Sequence, residues 1–315
     1  MQKLLIQLIC FAFLLSLSSC QHAAESTQSN PFIVILGNAQ DGGYPHINCK
    51  KECCKKYYSG AEEKHFVSCI AVMDPVSNQR FLFDCTPDFP AQLHLLDSIA
   101  STENMIDGIF LTHAHIGHYT GLMYLGRESM NATNVKVYAM PEMNSFLQTN
   151  GPWSLLVQLK NIALHKLKAD STIHLNERIT VTPFLVPHRH EFTETAGYKI
   201  QLQNKSVIFI PDIDKWATWN HDILQLIKEN DLLLLDGTFF HDGEIAGRNM
   251  NEIPHPFIEE SMKLFENLSK EEKSKIYFIH LNHTNPALIN NSQAQKEVEQ
   301  SGFHVARQGQ RIFFH

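Results

Sequence analysis

One stretch constrains this chain more than any other: Ile109-Phe110-Leu111-Thr112-His113-Ala114-His115-Ile116-Gly117-His118. An apolar, strand-like run feeds three histidines into the turn behind it. Side chains alternate along extended backbone, so His113 and His115 share a face two residues apart, and Gly117 permits a tight turn that brings His118 to the same centre. Imidazoles gathered in this way suit metal ligation. Histidine is abundant overall, at 18 residues against 26 lysines and arginines, and it is both the commonest metal ligand and the side chain that titrates near neutrality.

One strand end cannot complete a coordination sphere, and the pattern recurs. Val186-Pro187-His188-Arg189-His190-Glu191, Phe209-Ile210-Pro211-Asp212, Leu235-Asp236-Gly237-Thr238 and Phe278-Ile279-His280-Leu281-Asn282-His283 each end an apolar run on imidazole or carboxylate. A mixed nitrogen and oxygen set from separate strand ends suits Zn, Fe or Mn and leaves positions open for water. Taken singly, His188 or His190 also fits an ordinary surface residue, and Asp212 or Asp236 a turn cap, as the lesser alternative. Their joint recurrence favours a site. His255, before Pro256, fits either entry into that site or a helix cap.

Further apolar runs at 32–36, 67–73, 80–83, 108–112, 135–139, 179–186, 197–203, 206–211, 232–236, 276–280 and 311–314 read as strands, and 89–101, 121–126, 141–149, 223–229, 256–267 and 291–301 as helices. No repeat, low-complexity insert or long linker interrupts the chain after residue 31, so residues 32–315 read as one domain. That many strands exceed one small sheet. With helices to cover outer faces, two packed sheets between helical layers follow, an α/β chain built as an αββα sandwich. Trp153, Trp216 and Trp219 fit core positions better than a pocket wall.

Residues 1–20 read as an export signal: Lys3, an apolar run over 4–17, then Ser18-Ser19 before Cys20. The run is too short to span a bilayer. Its ending resembles a bacterial lipobox, so Cys20 is expected to carry lipid, with a plain secretory signal as the alternative; residues 21–31 read as a flexible tether and the domain as exported and lipid-anchored in a bacterial cell envelope. Of seven cysteines, Cys10 and Cys20 belong to that segment, leaving Cys49, Cys53, Cys54, Cys69 and Cys85, an odd number. The cluster of Cys49, Cys53 and Cys54 reads as a structural zinc site, with a disulfide or free thiols as the alternatives. A net charge of −7 gives no basic footprint for duplex nucleic acid.

The chain resembles the metallo-β-lactamase superfamily. The HxHxDH signature stands here as His113-Ala114-His115-Ile116-Gly117-His118, and the blocks from Leu36 to Pro45, Pro187 to Tyr198, Phe209 to Trp216, Leu235 to Phe239 and Phe278 to Pro286 resemble the branch that contains the pyrroloquinoline quinone biosynthesis protein B. The resemblance implies a first metal on His113, His115 and His188, a second on His118 and His280, and Asp212 between them. It implies one or two catalytic ions, zinc first with Fe or Mn as alternatives. Cys49, Cys53 and Cys54 resemble the zinc knot of phosphodiesterase members, with no fourth ligand evident. Gly117 departs from the pattern, standing where the superfamily has the aspartate of the second metal. His283 and His190 are the candidate replacements, His283 either as ligand or as proton donor.

The activity so implied is hydrolysis of a phosphodiester or related small anionic ester by a metal-activated water, with Asp212 orienting the water and Arg189 holding substrate. Arg189 equally fits a surface ion pair with Glu191 or Glu194. Two other readings stand beside it: an iron-loaded oxidase or hydroxylase of cofactor biosynthesis, against which the export signal argues, and a non-catalytic metal-binding lipoprotein.

Overall fold

The computed structural model describes residues 30–102 and 105–314. The expected export signal, Cys20 and residues 21–29 of the tether lie outside the described residues. Two seven-stranded sheets form the centre. The first is built from β1 (Phe32–Gly37), β2 (Cys69–Asp74), β3 (Gln79–Phe83), β4 (Gly108–Phe110), β5 (Val135–Ala139) and β6 (Ile162–Lys166). The second is built from β7 (Ile173–His174), β8 (Ile179–Val186), β9 (Thr195–Leu202), β10 (Lys205–Ile210), β11 (Leu232–Asp236), β12 (Ile276–Ile279) and β13 (His304–Val305), and β14 (Arg311–Ile312) returns to pair with β1.

Both sheets follow one plan. β1 to β3 pair antiparallel and β3 to β6 parallel, while β7 to β10 pair antiparallel and β10 to β13 parallel. The helices are α1 (Glu52–Tyr58), α2 (Phe89–Ile99), α3 (Ile116–Tyr119), α4 (Pro141–Thr149), α5 (Trp153–Gln158), α6 (Ile223–Glu229), α7 (Ile258–Leu264), α8 (Lys270–Lys273) and α9 (Gln293–Gln300).

The strands read as continuous apolar runs because both of their faces are covered. All six residues of β1 are buried. Ile33 and Ile35 enter the layer between the sheets, while Phe32, Val34 and Leu36 face the helices. β11 repeats this, with Leu232 and Leu234 between the sheets and Leu233 and Leu235 on the helical side. The result is the αββα sandwich expected from the sequence. Parallel strands point their carboxyl ends the same way, so the loops after β4, β10, β11 and β12 converge at one edge of the sandwich, where open α/β sheets place their sites.

β6, β7 and β13 and the short helices α1, α3, α5 and α8 were not anticipated. β7 and β13 are two-residue edge strands, too short to show a pattern, and β6 is an edge strand whose short apolar start runs into two exposed polar residues. Trp216 and Trp219 lie in the helix-side core, and Trp153 packs partly buried against the other helix-side core.

Candidate metal centre

β4 ends at Phe110, two residues short of the expectation, and the backbone from 111 to 115 is irregular. His113 and His115 still meet, Nε2 to Nδ1 at 2.8 Å. Asp84, at the end of β3, organises this turn. Its carboxylate accepts from the Thr112 amide at 2.8 Å and from Thr112 Oγ1 at 2.9 Å, and contacts His118 Nδ1 at 2.6 Å. Asp84 and His280 both adopt left-handed backbone, with φ of 69° and 66°, a local strain that their buried hydrogen bonds offset.

Asp212 is the hub. Its Oδ2 lies 3.4 Å from His113 Nε2, 3.8 Å from His118 Nε2, 3.9 Å from His280 Nε2 and 4.0 Å from His115 Nδ1. Its Oδ1 lies 3.3 Å from His188 Nε2. Zinc with ligands at about 2.1 Å spaces tetrahedral neighbours by about 3.4 Å, so these donors are set as a coordination shell sets them. His113, His115, His188 and Asp212 form one such group.

The second group holds a residue that sequence reasoning missed. Asp41 Oδ1 lies 3.0 Å from His118 Nε2 and 3.7 Å from His280 Nε2, and Asp41, His118 and His280 form a possible metal-holding trio beside Asp212. Gly117 accounts for this arrangement. It lies inside α3 rather than at a glycine-requiring turn, which corrects the expected reason for a glycine here. A Cβ on it would overlap Asp41 Oδ1 and come within 2.7 Å of Asp41 Cα. Glycine is needed because a carboxylate from another loop occupies the space.

The residues fit metal ions on physical grounds. Asp41 Oδ1, His118 Nε2, His188 Nε2, Asp212 Oδ1 and His280 Nε2 are all buried without a well-formed hydrogen bond, and buried polar atoms rarely stay unpaired without a reason. The opposite ring nitrogens are held. His113 Nδ1 contacts Thr112 Oγ1 at 3.0 Å, His280 Nδ1 contacts Thr238 Oγ1 at 2.9 Å, His188 Nδ1 contacts Asp214 at 3.0 Å and His115 Nε2 contacts Glu191 at 3.1 Å. Such outer partners fix ring orientation and the ligating nitrogen.

Charge follows the same pattern. Burial alone would raise the Asp212 carboxyl, but the neighbouring His188, His255 and His280 charges hold it well below its usual value. Burial works against protonated His188, yet Asp212 and Asp214 push it up to about 10. His113 is driven well down by burial and by the charge of His118.

His255 enters the site. Its Nδ1 lies 2.8 Å from Asp236 and 3.2 Å from Asp212 Oδ1. Asp236 also accepts from the Ile213 amide at 3.0 Å and from Thr238 Oγ1 at 2.7 Å, so one carboxylate steadies His255, the chain beside Asp212 and the outer partner of His280. Gln40, Arg189, Arg248, Thr238 and His255 line a cavity of about 240 Å³ alongside.

A third cluster lies apart. Cys49, Cys53, Cys54 and His283 bring four ligand atoms within 4.8 Å of one another, with Cys49 and Cys53 Sγ 3.8 Å apart. All three cysteines are free of disulfides. This donor set is the Cys₃His type that closes around structural zinc.

A beta-lactamase superfamily domain matches residues 79–281. The chain belongs to the beta-lactamase superfamily. It is 27% identical over 305 residues to coenzyme PQQ synthesis protein B of Methylorubrum extorquens strain PA1, covering 88% of this chain and 98% of that one. The same figure holds over 310 residues for the Acinetobacter baylyi protein of that name, covering 89% and 99%. Among solved structures it is similar to Zn(2+)-bound PqqB from Methylobacterium extorquens (TM-score 0.76, 24% identity, 89% and 99% covered). It is also similar to a diphosphatase from the PhnP family (TM-score 0.61, 21% identity, 90% and 97% covered). The fold is that of the metallo-β-lactamases.

Against the superfamily expectation, the structure brings His113, His115, His118, His188, Asp212 and His280 to one centre. It does not bring His283 or His190 there. His283 joins the cysteines as the fourth donor, because its loop runs past α1 rather than toward Asp212. His190 faces outward and bonds Glu142 beside Glu194, since the chain turns away after His188. Arg189 is half-exposed, 3.4 Å from Glu191, and lines the cavity as well. Asp41, Cys49, Cys53, Cys54 and His283 all lie outside residues 79–281, so the matched superfamily domain does not include them. For Asp41, the residue that was missed, the available signal was the polar Gln40-Asp41-Gly42-Gly43 run shortly after an apolar strand.

Proposed function

We propose that this chain is a metal-dependent hydrolase acting through two ions on a phosphodiester or related small anionic ester. One observation carries the reading: Asp41 supplies the carboxylate that Gly117 withholds, so two donor groups share Asp212. When bound, divalent ions at these groups supply a water of lowered pKa and Lewis-acid stabilisation of an oxyanion.

The chain's own residues do the rest. Asp212 faces both groups and is placed to orient the attacking water. Asp236 holds His255 at Nδ1, leaving Nε2 as the atom that can pass a proton to a leaving group. Arg189 and Arg248 line the cavity beside His255, where guanidinium groups grip phosphate or carboxylate oxygens. The Cys₃His cluster takes a structural zinc in the same proposal. Export and a lipid anchor on Cys20 also belong to it, and are tested by palmitate labelling with Cys20→Ala as control.

The test is metal content with turnover of bis(p-nitrophenyl) phosphate. Zn- or Mn-loaded protein should turn the ester over, and Asp41→Ala should lose one ion and most activity. His255→Ala should keep its ions and lose about 10²-fold or more in rate, the usual worth of a positioned acid. A fully loaded protein inert toward phosphodiesters overturns the reading. The near full-length likeness to coenzyme PQQ synthesis protein B favours a second reading, an iron-loaded oxidase of cofactor biosynthesis. Iron in the purified chain with oxygen consumption, and no hydrolysis, would select it.

A further inference from the structure

Two short peptides join the cysteine cluster to the second metal group. Asp41 and Cys49 belong to one loop, His280 and His283 to another. The two loops are laced together just before Asp41 and just after His280: Gln40 N donates to Leu281 O at 2.8 Å, and Leu281 N to Asn38 O at 2.8 Å.

His46 makes the second connection. Its ring stacks on His283 with centroids 4.3 Å apart and planes inclined by 25°. Its amide donates to Cys54 Sγ at 3.4 Å, and its carbonyl accepts from Cys49 N at 3.1 Å. The same ring sits on Gly42, where a Cβ would come 2.5 Å from His46 Cδ2. The Asp41 turn is closed by Gly43 N donating to Gln40 O at 2.7 Å. His46 therefore touches two donors of the cluster through its backbone, a third through its ring, and the turn that presents Asp41.

We propose that His46 is a positioning residue that couples the Cys₃His knot to the second metal group, so that an ion in the knot sets Asp41 and His280 for the second ion. The proposal rests on the two-ion reading. Ligands held by an ordered outer shell bind more tightly, and loss of such a partner typically costs about 10–100-fold in metal affinity. The knot is thus part of the metal centre's architecture, although none of its donors reaches Asp212.

The test is Co²⁺ titration of the metal-free full-length chain. Thiolate-to-cobalt charge transfer in the near ultraviolet reports the knot, and elemental analysis gives the total, so that ions beyond the knot's one are those on the histidine and aspartate groups. Wild type should take three ions. His46→Ala should keep the knot band and one catalytic ion, and bind the other catalytic ion about 10–100-fold more weakly. His46→Phe, which preserves the ring over Gly42 and the stack on His283, should recover most of that loss. Equal affinities in wild type and His46→Ala overturn the coupling and leave the two-ion reading standing. Loss of all three ions from His46→Ala, with altered circular dichroism, overturns it in favour of a general folding role. Wild type taking a single ion outside the knot overturns the two-ion reading and the coupling with it.

Discussion

At the residue scale, the carboxylate that the superfamily signature places at 117 comes instead from Asp41 on another loop, and glycine stands at 117 for a steric reason. Asp41 and Gly117 form a pair in which either one alone is wrong. Gly117→Ala should displace Asp41, because the new Cβ comes within 2.7 Å of Asp41 Cα and backbone cannot rotate away as a side-chain tip can. The expected result is a second ion bound at least about tenfold more weakly, as for loss of ligand geometry in general. Gly117→Asp should fail as well, although it restores the superfamily residue, since Asp41 fills the space. Gly117→Asp with Asp41→Gly should recover the ion. Elemental analysis after dialysis against a weak chelator checks all three, and full ion content in Gly117→Ala would refute the steric argument.

At the element scale, legibility depended on whether a residue's partners were near in sequence. The loops after β4, β8, β10 and β12 could be read as donor-bearing because each follows an apolar run that announces a buried strand. Asp41 could not, since its partners His118 and His280 lie far along the chain and reach it only in the folded domain. The knot shows the same limit. Three of its donors crowd into one segment around α1, whereas His283 arrives from a loop more than two hundred residues away, and local spacing assigned it instead to the neighbouring His280.

The knot's chemistry follows from its burial. Burial and the neighbouring thiols push Cys54 up to about 12 and raise Cys53, while burial together with His46 and Lys51 pushes His283 down to about 4. Near neutrality Cys53 and Cys54 of the metal-free knot are therefore protonated and His283 is neutral, while, against the effect of burial, hydrogen bonds from its neighbours lower Cys49 from the usual thiol value. Metal must displace the thiol protons and none from His283. At least two protons released per ion mean that knot affinity should fall by at least about 100-fold for each pH unit lowered. Competition with a chromophoric chelator across the neutral range measures this, and an affinity indifferent to pH would show that thiolates are not the ligands.

At the scale of the whole molecule, the metal centre joins the two sheets. Asp41, Asp84 and His113 to His118 come from the first sheet, and His188, Asp212, Asp236 and His280 from the second, so an ion held between them should oppose the sheets' separation. A site filled at a hundred times its Kd adds about 2.7 kcal/mol to folding stability, or roughly 5 °C in Tm for a domain of this size. Protons partly replace the ions when these are absent. His188, raised from 6.5 to about 10 by Asp212 and Asp214 against the effect of burial, stabilises the metal-free fold fully below its unfolded pKa, and that contribution drains away as pH rises toward the folded value. The metal-loaded fold has no such proton to lose, because an ion displaces it. The Tm gap between zinc-loaded and chelator-treated protein should therefore widen from pH 6.5 to pH 9, checked by calorimetry at matched ionic strength. A gap that fails to widen over that range would mean that His188 is not a ligand, since a histidine outside the metal shell would titrate alike with and without zinc and leave the gap unchanged.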